Sequence, residues 1–217
     1  MFRTLCFSVL TTLLAYLPAD AQWSLVVSAG VSPQQSPETP YVFANRSTPR
    51  NEFTFDLAQV KASPFIGAGA EYRFAPFFVN AEAQYARREY VYDVTGTYPG
   101  FPRSQEATTY TESMDMVNLP LTLGVNLGVI DVTSGFLPQF VVSHRTDLDQ
   151  IAGYTQDQNA LRMGWHGGVA ARLTHLRIGF SYQMDFQNYG DHMAVNGDPL
   201  RLQGRSSRLV GSVSYIF

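Results

Sequence analysis

The chain of 217 residues contains one cysteine, one lysine and, beyond its first two dozen residues, no long apolar run. Each scarcity excludes something. Cys6 lies in an N-terminal segment that reads as a leader and lacks the small-residue context of a lipoprotein cysteine. The mature chain is therefore expected to have neither a disulfide nor thiol chemistry. The basic residues are 14 arginines and Lys61, with no cluster that would form a phosphate-tracking stripe, and the net charge is −3. Nucleic acid is thus not an expected partner. No downstream stretch supplies the roughly 18 continuous apolar residues of a membrane helix. Nor is the chain disordered: 45% of it is hydrophobic against 15% charged, enough apolar surface for one domain to fold around.

The first segment carries Arg3, then an apolar run, then Ala19-Asp20-Ala21. This is the pattern of a secretory signal peptide over residues 1–21, with cleavage before Gln22 and a single domain over 22–217. An exported protein without an anchoring helix is either soluble outside the cytoplasm or crosses the outer membrane with strands.

The C-terminal stretch favours the second. Leu209, Gly211, Val213 and Tyr215 alternate with Arg208, Ser212 and Ser214, and the chain ends on Phe217. A period of two makes a strand with one oily and one polar face. The same alternation recurs over 23–31, 65–74, 77–92, 117–126, 132–145, 163–173 and 176–189. Residues 176–189 show it most cleanly, setting Leu176, Ile178, Phe180, Tyr182, Met184 and Phe186 against Arg177, Gly179, Ser181, Gln183, Asp185 and Gln187.

Between Phe74 and Phe77 only Ala75-Pro76 remain, so a two-residue hairpin is expected to pair Tyr72 with Val79, Glu71 with Asn80 and Gly69 with Glu82. Pro120 and Pro138 interrupt their strands and predict a bulge or a missing ladder bond. Polar, Gly- and Pro-rich segments at 32–63, 93–112, 146–162 and 190–206 read as loops. Eight strands of roughly 9 to 11 residues, joined by connections that alternate long and short, predict an all-β, eight-stranded antiparallel up-and-down transmembrane barrel. Its short turns and both termini would be periplasmic and its four long loops outside. Trp23, Phe74, Phe77, Tyr215 and Phe217 would form one interfacial girdle, and Tyr85, Trp165, Phe186 and Tyr189 the other. A free strand edge finds no water in hydrocarbon, so the last strand must pair with the first.

On the motifs Gly67-Ala-Gly-Ala-Glu-Tyr72, Met116-Val-Asn-Leu-Pro-Leu121 and Tyr215-Ile-Phe217, the chain resembles the outer-membrane protein β-barrel domain family of small porin-family barrels. The resemblance implies an integral outer-membrane barrel surrounded by outer-membrane lipid and lipopolysaccharide. It also implies that the barrel-assembly machinery reads the terminal Tyr215 and Phe217. It implies no single activity. Eight strands enclose an interior just wide enough for side chains, so an open diffusion pore is not expected.

Inside such a barrel the alternation places a charge network of Glu71, Arg73, Glu82, Arg172, Arg177, Asp185 and Arg208. Buried charges need partners, and a rigid hydrogen-bonded plug is the expected arrangement rather than an ion path. The turn at Thr174-His175 sets Arg172 opposite Arg177, and no carboxylate stands out in the sequence to separate them. Arg87 and Arg88, near the outer rim, are candidates for contact with lipopolysaccharide phosphates.

No catalytic residues and no cofactor are expected. Ser143 and His144 point to opposite faces, and His166, opposite Gln183, has no serine beside it. No metal site is read either. The acidic loop with Asp147, Asp149 and Asp157 lacks the alternating oxygen ligands and closing glutamate of a calcium loop. Gly67-Ala-Gly69 has no third glycine or helix to make a nucleotide fingerprint. The expected role is non-enzymatic: envelope structure, or interaction with an extracellular or envelope partner through the outer loops. A transport or secretion accessory similar to the PorT-like barrels of the type IX system is the first alternative, and a lipid-modifying enzyme the second.

Overall fold

Alternating sequence can satisfy its backbone only in a sheet, and in the computed structural model it does. The structure describes residues 22–34, 41–44, 52–96, 107–151, 154–156, 161–189, 192–195, 198–199 and 205–217. The leader expected over 1–21 and Asp157 lie outside the described residues. Apart from a 3-10 turn, Leu148–Gln150, the regular elements described are all strands.

Seven of the eight expected staves are single strands. These are β1 (Gln22–Ser32), β4 (Ser63–Phe74), β5 (Phe77–Gly96), β8 (Ile130–Thr146), β10 (Leu161–Leu173), β11 (Leu176–Asn188) and β14 (Arg205–Ile216). The remaining stave is split into β6 (Thr108–Asn118) and β7 (Leu121–Asn126), both of which pair with β5 and β8. Every pairing between neighbours is antiparallel, and β14 pairs with β1, so the eight staves close into a ring.

The registers follow from the turns. Tyr72 pairs with Val79, Glu71 with Asn80 and Gly69 with Glu82 across the Ala75-Pro76 hairpin. Arg172 pairs with Arg177 across Thr174-His175. The third short turn, at 127–129, reverses on Gly128 with φ +86°, a conformation that glycine adopts without a Cβ penalty.

The total number of strands is larger than eight. The segment 32–63, expected to be a loop, contains β2 (Tyr41–Ala44) and β3 (Glu52–Val60), with β3 pairing along the far half of β5. The expected loop 93–112 is shortened from both sides by β5 and β6. Beyond the ring, β9 (Tyr154–Gln156), β12 (Met193–Val195) and β13 (Asp198–Pro199) form a separate small sheet. The connections that look polar in sequence carry enough β-forming residues to extend the wall and cap it.

The prolines act as expected. The ladder breaks at Leu119-Pro120, where the Pro120 carbonyl still accepts from the Glu82 amide and the Leu119 amide donates to the Pro138 carbonyl. In β8 the partner of Asp115 is Ser143 and that of Met116 is Val141, so Val142 is an inserted, outward-facing residue.

Side chains divide by face. Outside lie Trp23, Leu25, Ile66, Leu123, Phe136, Val169, Phe180, Leu209 and Val213, with Trp23 73% and Phe180 68% exposed. Inside lie Glu71 (1% exposed), Asp131, Gln139, Asp185 and the aromatic ring of Phe78. Phe78 fits because Gly124 faces it; a Cβ at Gly124 would run into the ring. The Gly124→Val protein should therefore refold with its denaturation midpoint shifted to lower urea, by about 1–3 kcal/mol of overpacking. A Gly124→Val protein as stable as the parent would show that the interior around Phe78 is loose.

Candidate functional site

Inward-facing residues stack in layers along the ring's axis, each set by the period of two on several strands at once. The layer nearest the short turns is ionic. Glu71 on β4 accepts from Arg73 Nη2 (2.8 Å), from Arg172 Nη1 (3.1 Å) and from Arg177 Nη2. Asp131 Oδ2 on β8 accepts from Arg172 Nε (2.8 Å) and Arg177 Nε (3.1 Å), while Asn126 Nδ2 donates to its Oδ1 at 2.6 Å. Both guanidinium groups also lie over the Phe78 ring, at 5.3 and 5.0 Å from its centroid. The carboxylate that the Arg172–Arg177 pair requires is thus supplied twice. Asp131 sits at the first inward position of β8, where the sequence reads as turn.

The middle layer is neutral except for Glu82. Its carboxylate accepts from Ser28 Oγ (2.6 Å), Asn80 Nδ2 (2.7 Å) and Gln84 Nε2 (3.0 Å). Among the described residues it has no arginine partner, so Glu82 stands apart from the charge network expected to include it. Around it is a cavity of about 100 Å³, lined by Thr122, Thr133, His166, Ser181 and Ser212 among others, with room for several waters. Thr122 Oγ1 is 3.3 Å from His166 Nε2. A hydroxyl and an imidazole thus meet between the two ionic layers.

The third layer repeats the first with different residues. Arg88 Nη1 is 3.2 Å from Asp185 Oδ2 and its Nη2 donates to Gln139 Oε1 at 2.6 Å. Gln139 Nε2 donates to Asp185 Oδ1 at 2.6 Å, and Arg208 reaches Asp185 at 3.8 Å and Gln183 at 2.9 Å. Arg88 is therefore not a rim residue free for phosphate: it is buried, and the alternation that turns Glu82 and Gln84 inward turns it inward too. Arg87 does face outward, with Ser113 at 3.1 Å and Asp115 at 3.9 Å.

Above the third layer the interior turns apolar. Phe55 and Leu57 of β3, Tyr90, Tyr92 and Val94 of β5, Tyr110, Met114 and Met116 of β6, Leu148, Ile151 and Met193 form a buried cluster. Tyr189, expected in the outer girdle, packs inward against it and meets Tyr90 edge-on. At the short-turn end Trp23, Phe74 and Phe77 are linked through Tyr72 in a run of ring contacts, and Tyr215 packs on Phe217.

One polar group is set into the apolar cluster. Glu112 on β6 is fully buried; its Oε1 lies 2.7 Å from His144 Nε2 and 2.8 Å from His192 Nε2, and its Oε2 accepts from the Tyr92 hydroxyl at 2.9 Å. Gln156 Nε2 is 2.9 Å from His144 Nε2 and 3.5 Å from Glu112 Oε1. Burial pushes the Glu112 carboxyl up, but the hydrogen bonds of His144, His192 and the Tyr92 hydroxyl outweigh it and hold it at about 2. The group is thus a carboxylate at any physiological pH. Burial, and then the Glu112 charge, raise Tyr92 well above its ordinary value, so it stays a donor.

Sequence reasoning misses this cluster because it carries the alternation of β8 straight through. The inserted Val142 reverses the phase, so that His144 rather than Ser143 turns inward. Residues 32 and 48 apart along the chain give no motif.

The scan against protein families finds no match for the chain, and no curated protein matches it. Function therefore rests on geometry. Asp131→Asn leaves Arg172 and Arg177 facing each other with one carboxylate fewer, and should destabilise the ring by roughly 3–5 kcal/mol, as breaking a buried ion pair does. Adding Arg177→Gln should restore part of that loss. Urea titration of the single and double variants in detergent micelles measures both.

Proposed function

We propose that the protein is an integral outer-membrane barrel, exported by its N-terminal segment, with a plugged interior and no enzymatic role. It would act in envelope structure or surface interaction through the end carrying the long connections. The observation that carries this reading is a reversal of polarity along β5. From Phe77 to Tyr85 the outward positions are Phe77, Val79, Ala81, Ala83 and Tyr85, while the inward ones include Asn80, Glu82 and Gln84. From Arg87 onward the outward positions are Arg87, Glu89, Val91 and Asp93, and after Arg88 the inward ones are Tyr90, Tyr92 and Val94. An oily exterior over a charged interior suits hydrocarbon, and a polar exterior over an oily interior suits water. One strand would thus leave the bilayer near Tyr85.

Apolar exposure spread around the whole ring also exceeds the patch size that a soluble monomer tolerates. The two ionic layers support a role without diffusion, since their five arginines and three carboxylates fill the cross-section of an eight-stranded ring. The cap of β3, β9 and β12 gives the wet end a folded surface for a partner or for neighbouring lipopolysaccharide, with Arg87 at its edge. The terminal Tyr215 and Phe217 suit the assembly signal that the family resemblance implies.

Trp23 and Trp165 are the only tryptophans. In vesicles containing brominated acyl chains their fluorescence should be quenched, and planar bilayers should carry no large steady current. Unquenched emission from a protein that stays monomeric in detergent-free buffer would sink the membrane reading; a large steady conductance would sink the plug. Orientation is tested separately in intact cells. With Cys6 removed with the leader, Gln150→Cys in the cap should react with an impermeant thiol reagent, and Val129→Cys in a short turn should react only after the envelope is opened.

A further inference from the structure

We infer that Glu112, His144 and His192 form a binding site for a divalent transition-metal ion of the zinc class, which clasps the cap to the ring. One ligand atom from each of the three lies within 4.8 Å of the others, all in the apolar cluster. Two imidazoles and one carboxylate are a donor set that zinc takes, and the carboxylate offsets one of the ion's two charges.

The three side chains join two structural units. Glu112 stands on β6 and His144 on β8, both in the wall, while His192 immediately precedes β12 in the small sheet. Gln156, at the end of β9, brings its amide to the same point, and a half-turn of that amide presents oxygen as a fourth ligand. The second carboxylate oxygen is anchored by Tyr92, which orients Oε1 toward the two histidines as outer-shell partners of metal ligands do. The near-complete burial of all three side chains makes this a structural site rather than a catalytic one.

Two features set its affinity. The donor atoms are drawn together at 2.7 and 2.8 Å, as in a hydrogen-bonded cluster, and must spread to about 3.4 Å, the separation of ligands on tetrahedral zinc. His192 Nδ1 also faces Arg162 Nη2 at 3.2 Å. The arginine donates there, which fixes the hydrogen on Nε2, the nitrogen the metal needs. Binding at Nε2 moves that hydrogen to Nδ1, where it faces the arginine's own N–H and turns Arg162 away. Arg162 therefore opposes the metal, and its removal should strengthen binding.

The experiment uses the full mature chain in detergent micelles, stripped of metal by a chelator and then titrated with Co²⁺ and Zn²⁺. The expected result is a visible absorption band of four-coordinate cobalt at one ion per chain, displaced by one equivalent of Zn²⁺. Zinc should also slow proteolysis within 147–151. Glu112→Gln, His144→Ala and His192→Ala should each weaken binding roughly tenfold or more, and Arg162→Ala should tighten it. Heat-modifiable migration on a gel separates these effects from loss of the ring. Absence of the cobalt band in the parent protein, or uptake unchanged by His192→Ala, overturns the site. If a histidine variant does not fold, the Arg162→Ala protein decides alone, because a binding constant that fails to tighten there also overturns it.

Discussion

The pairing of β14 with β1 is the constraint on which the other features depend. It aligns Val27 with Tyr215 and Ala29 with Val213, and the last amide, that of Phe217, donates to the Leu25 carbonyl at 3.0 Å. Once the eight staves close into a ring, their backbone groups are paired with neighbouring staves apart from the break at Leu119-Pro120, and side chains have two destinations only. Every residue of a stave faces the surroundings or the interior, and its neighbour takes the other side. The register of one hairpin then propagates around the ring: the Ala75-Pro76 turn sets Glu71 inward, and the Thr174-His175 turn sets Arg172 and Arg177 at the same height. In a ring this narrow, charges placed at one height meet, whichever strands carry them.

That meeting explains the imbalance between 14 arginines and one lysine. Arg172 uses Nε on Asp131 and Nη1 on Glu71, and Arg177 bridges the same two carboxylates from the neighbouring strand. A planar fork spans two acceptors at once and lays its flat face against Phe78; an ammonium group does neither. The third layer uses Arg88 in the same manner, bridging Asp185 and Gln139. Lys61, by contrast, pairs with Glu89 at the surface. Taking these charges out of water is costly, and it is offset because each buried carboxylate is shared between guanidiniums and amides rather than left with one partner.

Alternation made the ring, its registers and most of its inward residues legible from sequence alone, because a period of two is read one residue at a time. Three features were not legible, each for a different reason. Asp131 is the first inward residue after a turn, and a turn reading hides its face. The strands β2 and β3 lie in a segment whose prolines and polar residues outweigh the alternation of Phe53, Phe55 and Leu57. His144 was lost to Val142, since one inserted residue exchanges the faces of all that follow. Nothing in Phe140-Val-Val142 marks the bulge, because Phe140 and Val142 face out and Val141 faces in as plain alternation expects, and the phase changes only at Ser143. The direction of Arg88 was readable, and the paired arginines at the rim obscured it.

The same bulge gives the wet end its character. Without it, the residues beyond Val142 would continue the earlier phase, turning Arg145 into the apolar cluster and His144 out to the surface. With it, the imidazole lies against Glu112, a carboxylate buried among Tyr92, Met114 and Met116 that would otherwise lose the shorter of its two imidazole contacts. An uncompensated charge there would cost more than the surrounding apolar contacts return, so the cluster and the bulge stand or fall together. Because His192 and Gln156 come from the small sheet, the polar contact that makes Glu112 tolerable also ties the cap to the wall. A group that is expensive to bury thus becomes the reason the cap has one position rather than many. Packing among tyrosines and methionines, which has little directional preference, would not fix that position by itself.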